Sequence, residues 1–163
     1  LVNNAGINKI GFLSDYAVED FQKIQQVNVT APFMVCQAVI PQMKERRYGR
    51  IVNISSIFGV VSKPERSAYS ASKFGLLGLS RALALEVAPD NVLVNCVAPG
   101  FVDTELTHQI LGEEGIKEIT SGIPIGRLAS PDEIAYCVNF LASDQNTYLT
   151  GQNIIVDGGF TSA

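Results

Sequence analysis

Apolar residues along the chain fall into two patterns. Short continuous runs are bounded by turn residues, and longer stretches repeat an apolar face every three to four positions. The short runs are Leu1-Val2, Arg50 to Ser55, Val92 to Val97 and Asn153 to Val156. They are rich in Val and Ile, as half-buried or buried strands are. The longer stretches predict helices. The first runs from Tyr16 to Val27, with Ser14 and Asp15 as candidate caps. The second runs from about Thr30 to Arg46, with Pro32 tolerated near its start and Pro41 expected to kink it or mark a weak turn. A third spans Ser67 to about Val87 and ends at Pro89. A fourth opens on Ser130-Pro131-Asp132-Glu133, a serine cap with proline at the first position and glutamate three after the cap, and runs to about Ala142. Gly59 to Arg66 reads as loop. Residues 101–126 read as a partly helical insert whose glycines and charges predict a mobile lid. Strand and helix alternate, which predicts an α/β fold with a parallel sheet.

In an open parallel sheet, ligands bind beyond the carboxyl ends of the strands. Three such ends carry distinctive residues: Asn4-Ala5-Gly6, Ser55-Ser56 and Pro99-Gly100. The helix that opens at Ser67 begins on the same side and carries Tyr69 and, four residues later, Lys73. Positions i and i+4 share one helix face. A free phenol ionises near pH ~10 and is a poor proton shuttle at neutrality. A fixed ammonium beside it favours the phenolate and is expected to lower that value.

Composition narrows the remaining classes. Hydrophobic content of 47% against 17% charged residues marks a chain that builds a core. Its 163 residues make one domain or part of one, and the net charge is −4. No basic run is long enough for nucleic acid; Lys44-Glu45-Arg46-Arg47 reads as a solvated helix end. Cys36, Cys96 and Cys137 form no CxxC pair, so no zinc site is expected, and they read as small core residues in a reducing, cytoplasmic compartment. No apolar run approaches the ~18 residues of a membrane span.

The ordered set Asn3-Asn4-Ala5-Gly6, Asn28, Ser56, Tyr69-x-x-x-Lys73, Pro99-Gly100 and Val156-Asp157-Gly158-Gly159 resembles the short-chain dehydrogenase/reductase family. The likeness covers essentially the whole chain and corresponds to the C-terminal two-thirds of a member. It implies the C-terminal part of a doubly wound Rossmann fold, with NAD or NADP as cofactor, in a single incomplete dinucleotide-binding and catalytic domain over residues 1–163. By resemblance, Tyr69 exchanges a proton with the substrate oxygen, and Lys73 depresses its pKa and holds the nicotinamide ribose. Ser56 positions the substrate oxygen, and Asn28 holds a relay water. Asn4, Ala5 and Gly6 line the cofactor, and Pro99, Gly100, Val102 and Thr104 line its nicotinamide end. Thr104 also reads as a possible cap for the lid helix, and Asn28 as a capping or kink residue. His108, the single histidine, reads as a surface or substrate-edge residue.

The Tyr69 helix is apolar nearly all round, with Arg81 and Glu86 as its charges between Phe74 and Val87. One side needs a partner beyond the sheet, which predicts a homo-oligomer; the resemblance implies a tetramer. The implied substrate is a small carbonyl or alcohol, or an acyl thioester as in 3-oxoacyl-thioester reductases, with sugar, polyol or other secondary alcohols as the alternative. Arg47 matches a basic position that greets an acyl carrier protein in those reductases. The second basic position is replaced by Pro89-Asp90-Asn91. No GxGxxG occurs in these residues, and Leu1-Val2 reads as a strand cut in its middle. The 163 residues alone are therefore expected to bind dinucleotide poorly and not to turn over, as an inactive fragment of an active parent.

Overall fold

The computed structural model describes residues 1–163. Four strands form one parallel sheet in the order β1 (Val2–Asn3), β2 (Gly49–Ile54), β3 (Val92–Pro99) and β4 (Asn153–Val156). Helices connect them: α1 (Val18–Gln25), α2 (Ala31–Glu45), α3 (Ser67–Val87), α4 (Glu105–Ser121) and α5 (Pro131–Ala142). The predicted α/β architecture is therefore the one observed.

Both faces of β2 and β3 are covered, which is why these strands read as continuous apolar runs. On one face, Ile51, Val92 and Val94 pack with Cys36 and Met43 of α2 and Leu83, Ala84 and Val87 of α3. On the other, Val52 and Val97 pack with Leu141 of α5, flanked by Ile134 and Val138. Two asparagines interrupt the apolar strands without leaving a bare polar group. Asn53 donates to Ser80 Oγ at 2.8 Å and accepts from Asn3 Nδ2 at 2.7 Å. Asn95 donates to the Leu149 carbonyl at 2.7 Å and accepts from the Gln152 N–H at 3.1 Å.

Several local expectations need correction. Ser14 and Asp15 do not cap α1. They lie in a 3-10 turn, Leu13–Asp15, and the residue before α1 is Ala17, which makes no side-chain cap. Pro41 neither ends nor divides α2, which runs through it from residue 31 to 45. Between α1 and α2 the backbone widens into a single π-turn, Gln26–Thr30, with Asn28 at its middle. The lid segment forms a helix with no buried residue, broken internally at Gly112, whose φ of 64° lies in the left-handed region. The serine start of α5 holds as a full capping box: Ser130 Oγ accepts from Glu133 N–H, and Glu133 Oε2 accepts from Ser130 N–H.

Ile51 is 1% exposed at the centre of the larger cluster. In the full-length protein, Ile51→Ala should lower the unfolding free energy by ~2–4 kcal/mol in urea denaturation. A loss below ~1 kcal/mol would show that this cluster is not the core.

Candidate active site

The carboxyl ends of β1, β2 and β3 open into one crevice of about 940 Å³. Its wall includes Asn4 and Gly6 after β1, Ser56 after β2, Tyr69 and Lys73 on α3, and Pro99, Gly100, Val102 and Thr104 after β3. Of the predicted site residues, Ala5 and Asn28 are not on this wall. A second cavity of about 240 Å³ continues from it; Ser56, Tyr69, Gly100 and Val102 line both.

Lys73 is 3% exposed, and its ammonium donates to the Ile54 carbonyl at 2.8 Å. That bond ties α3 to the last residue of β2. An ammonium carries three N–H donors, and this is the one hydrogen bond the chain gives it. Burial pulls the Lys73 pKa down to about 8, slightly opposed by Cys96. Lys73 Nζ also lies 5.4 Å from the centroid of the Tyr69 ring.

Tyr69 departs from expectation. Shielding from water pushes its phenol above the ordinary value, while Ser56 and the Arg66 guanidinium pull it down. The expected lowering by Lys73 is not what governs the phenol in this structure. The Lys73 ammonium is anchored on the Ile54 carbonyl, and desolvation of the phenolate outweighs the nearby cations. The ring is fixed by an edge-on contact with Phe58, centroids 6.3 Å apart.

Ser56 is 8% exposed and caps the 3-10 turn Ile57–Gly59, its Oγ accepting from Phe58 N–H at 3.2 Å. Oγ accepts from the backbone inside the chain, and its own hydrogen is left to donate towards the Tyr69 phenol at the crevice. Asn28, 1% exposed, grips the loop after β1 from both sides. Its Oδ1 accepts from Ile7 N–H and its Nδ2 donates to the Ile7 carbonyl, both at 2.9 Å. The same Nδ2 donates to Ser72 Oγ at 2.9 Å, and Ser72 Oγ donates to the Tyr69 carbonyl at 2.7 Å. A chain of side chains therefore links the π-turn, the Asn4-Ala5-Gly6 loop and the first turn of α3.

Gly100 is a position of close approach: a Cβ there would fall 2.8 Å from Asp157 Cα. Asp157 in turn accepts from Gly159 N–H, Thr161 N–H and Thr161 Oγ1, which fold the C-terminal segment against the end of β3. Thr104 caps α4, its Oγ1 accepting from Thr107 N–H at 3.2 Å. Thr107 Oγ1 donates to the Val102 carbonyl at 2.7 Å, so the 2.9 Å contact between the two hydroxyls is a donation from Thr104. One acceptor position on Thr104 Oγ1 is left over. His108 is an exposed surface residue paired with Asp103 at 2.6 Å.

Sequence reasoning missed four contributors: the Ile54 carbonyl, Ile7, Ser72 and Arg66. Backbone partners leave no residue-type signal. Ser72 sits inside the Tyr69-x-x-x-Lys73 spacing, and Arg66 sits three residues before Tyr69, so the same helical periodicity could have flagged both.

Among known proteins, a family model described as enoyl-(acyl carrier protein) reductase matches residues 1–161. A 3-oxoacyl-[acyl-carrier-protein] reductase of Chlamydia muridarum is 44% identical over 159 residues, covering 98% of this chain and 64% of that protein. The crystal structure of a gluconate 5-dehydrogenase from Burkholderia cenocepacia in complex with NADP and tartrate superposes with a TM-score of 0.95 at 33% identity, over 99% of this chain and 64% of that one. A 4-hydroxyisoleucine dehydrogenase mutant complexed with NADH and succinate gives 0.94 at 36% identity, over 99% and 68%. The chain thus spans about 64% of the length of the sequence relatives it matches.

The buried lysine has a measurable signature. Its folded pKa is about 8 and its ordinary value is 10.5, so between those pH values the unfolded chain holds more proton at this site. Stability then rises with pH across that window, by at most about 1.4 kcal/mol per pH unit. Below it, both states are protonated and the cost of burying the charge is present in full. Urea denaturation should therefore show the wild type gaining on Lys73→Met as pH rises from about 8 towards 10.5. A stability difference that stays flat across that range would refute the burial of the charge.

Proposed function

Because the chain belongs to the short-chain dehydrogenase/reductase family, we propose that the protein carrying it interconverts a ketone and a secondary alcohol by hydride transfer with NAD or NADP. The observation that supports this reading is the meeting of Ser56, Tyr69 and Lys73 on the wall of one crevice at the carboxyl ends of the strands.

The residues present suit the nicotinamide end of such a cofactor. Lys73 has donors to spare beyond its bond to the Ile54 carbonyl, which suits a ribose diol. At Gly6 a Cβ would stand 3.5 Å from both Lys73 Nζ and Asn28 Oδ1, filling the space in front of the ammonium. Asn4 and Gly6 form the floor on that side. Pro99, Gly100, Val102 and the unused acceptor position of Thr104 form the opposite side, where a carboxamide N–H can be received. When bound, the nicotinamide supplies or accepts the hydride.

In the reducing direction, the hydrogen of Ser56 Oγ turns from the Tyr69 phenol to the substrate carbonyl oxygen and stabilises the charge that develops on it. Tyr69 O–H donates the proton. Its raised pKa keeps the phenol loaded at neutral pH, and the same raised value makes it a poor base for alcohol oxidation until a cation pulls it down. Lys73 and Arg66 are the cations at hand. Asn28 fixes the loop and helix between which a relay water near Lys73 would stand.

Acyl-thioester reduction is the activity named for the Chlamydia relative. Against carrier-protein docking here, Arg47 is already engaged. Its guanidinium donates to the Pro89 carbonyl at 2.8 Å and lies 3.6 Å from Asp90, which also pairs with Lys44 at 3.1 Å. The segment that replaces the second basic position thus also engages the first, through an Asp90 carboxylate shared with Lys44. On this ground small secondary alcohols and their ketones are the substrate class proposed here. The exposed apolar side chains Phe33 and Met34 on α2 and Phe74 and Leu85 on α3 support a homo-oligomer, a tetramer by family likeness.

In the full-length protein, Tyr69→Phe should reduce turnover of a ketone by a factor of about 100 to 10,000 while leaving NADPH or NADH affinity within about threefold. Turnover that survives the substitution would sink the assignment of Tyr69 as the proton donor.

A further inference from the structure

We propose that Arg66 is the substrate-recognition residue of this site and that the substrate it selects carries a carboxylate beside its ketone or alcohol. The inference rests on the ketone–alcohol reading above and names the substrate class within it.

Arg66 is 8% exposed, and its Nε and Nη1 are sealed from solvent without any hydrogen-bond partner. Its side chain accordingly makes none of the ion pairs of the molecule, although Glu65 is its neighbour in sequence. Its guanidinium carbon lies 5.7 Å from the Phe58 ring centroid, a contact that offsets only part of the cost of burial. A buried guanidinium with idle donors is expensive to keep, because each unmet donor forfeits its hydration. Other buried groups also lack partners, among them Arg50 Nε and Ser55 Oγ, but Arg66 alone is a cation on the wall of the smaller cavity.

Arg66 is the one charged side chain on the wall of that cavity. Ser56 and Tyr69 stand at its junction with the larger crevice, and Phe58, Phe101, Ile110 and Leu111 make its apolar wall. A substrate whose carbonyl oxygen lies between Ser56 and Tyr69 extends into this space and meets one positive charge. A guanidinium matches a carboxylate by two parallel hydrogen bonds, and one cation balances one monoanion. A phosphate dianion would leave a charge unmatched there. At about 240 Å³ the cavity suits a short acid. The reacting end of a 3-oxoacyl thioester is neutral and would leave the guanidinium unpaired, which a site built around it disfavours.

The test compares 2-, 3- and 4-oxo acids with their own methyl esters as substrates of the full-length protein, with a short 3-oxoacyl thioester and a phosphate-bearing ketone as further arms. The wild type should prefer at least one acid over its ester. Arg66→Gln should raise KM for that acid roughly 10- to 100-fold, so that the acid-over-ester ratio of kcat/KM falls by the same factor whatever change in kcat the two compounds share. Equal use of acid and ester by the wild type, equal losses on both in the variant, or preference for the thioester or the phosphate overturns the proposal. So does failure of both Arg66→Gln and Arg66→Met to fold, since that marks Arg66 as structural. Absence of turnover on every compound would instead defeat the oxidoreductase reading. Binding then decides Arg66: saturable thermal stabilisation by the oxo acids, lost in Arg66→Gln, supports it, and no stabilisation overturns it.

Discussion

A buried ammonium must have an acceptor, and the acceptor of Lys73 is the carbonyl of Ile54. That single bond fixes how α3 lies against the end of β2. Because Tyr69 is one turn earlier on the same face, the bond also fixes where the phenol stands. Ser56 is two residues beyond Ile54 on the other partner of the bond, so the distance between serine and tyrosine is set by the same contact. The Asn28 side chain closes the arrangement by holding the Ile7 backbone and Ser72 together. The site is thus positioned by polar groups buried among apolar layers, where an unmet donor is costly and alternative geometries are correspondingly few.

The electrostatics follow from that burial. The spacing of a tyrosine and a lysine invites the reading that the cation simply lowers the phenol. In the fold, both groups are shielded, and shielding favours the neutral form of each: the phenol goes up and the ammonium comes down. The two shifts have one cause. A site in this condition is suited to giving a proton away, and its balance towards taking one depends on how much positive charge the occupied crevice retains near the phenolate.

Much of the fold was legible because β2, β3, α3 and α5 each carry a signal that tertiary context reinforces. The apolar runs match strands covered on both faces, the Ser67–Val87 periodicity matches a helix against the sheet, and Ser130-Pro131-Asp132-Glu133 contains all the atoms of its capping box. The misread caps at Ser14 and Asp15 were local propensities with no tertiary support, and Pro41 was absorbed by a helix packed on both sides of it. The site was legible as residue types at ordered spacings. What the sequence could not carry was the backbone's part: the Ile54 carbonyl, the Ile7 peptide and the π-turn that aims Asn28 have no side-chain signature.

Arg66 shows the same limit from the other side. Read along the chain, it is a loop arginine before a helix, a place where charge is ordinary. Only packing reveals that Phe58 covers it and that its donors are idle. Its position three residues before Tyr69 couples two properties usually argued separately. The cation that lowers the phenol is the one that lines the smaller cavity, where we propose that an anionic substrate group binds. A carboxylate bound there would neutralise the charge that favours the phenolate, so binding itself would push the phenol further towards its protonated form. Recognition and proton supply would then act in one direction, favouring reduction of an oxo acid over oxidation of the matching hydroxy acid.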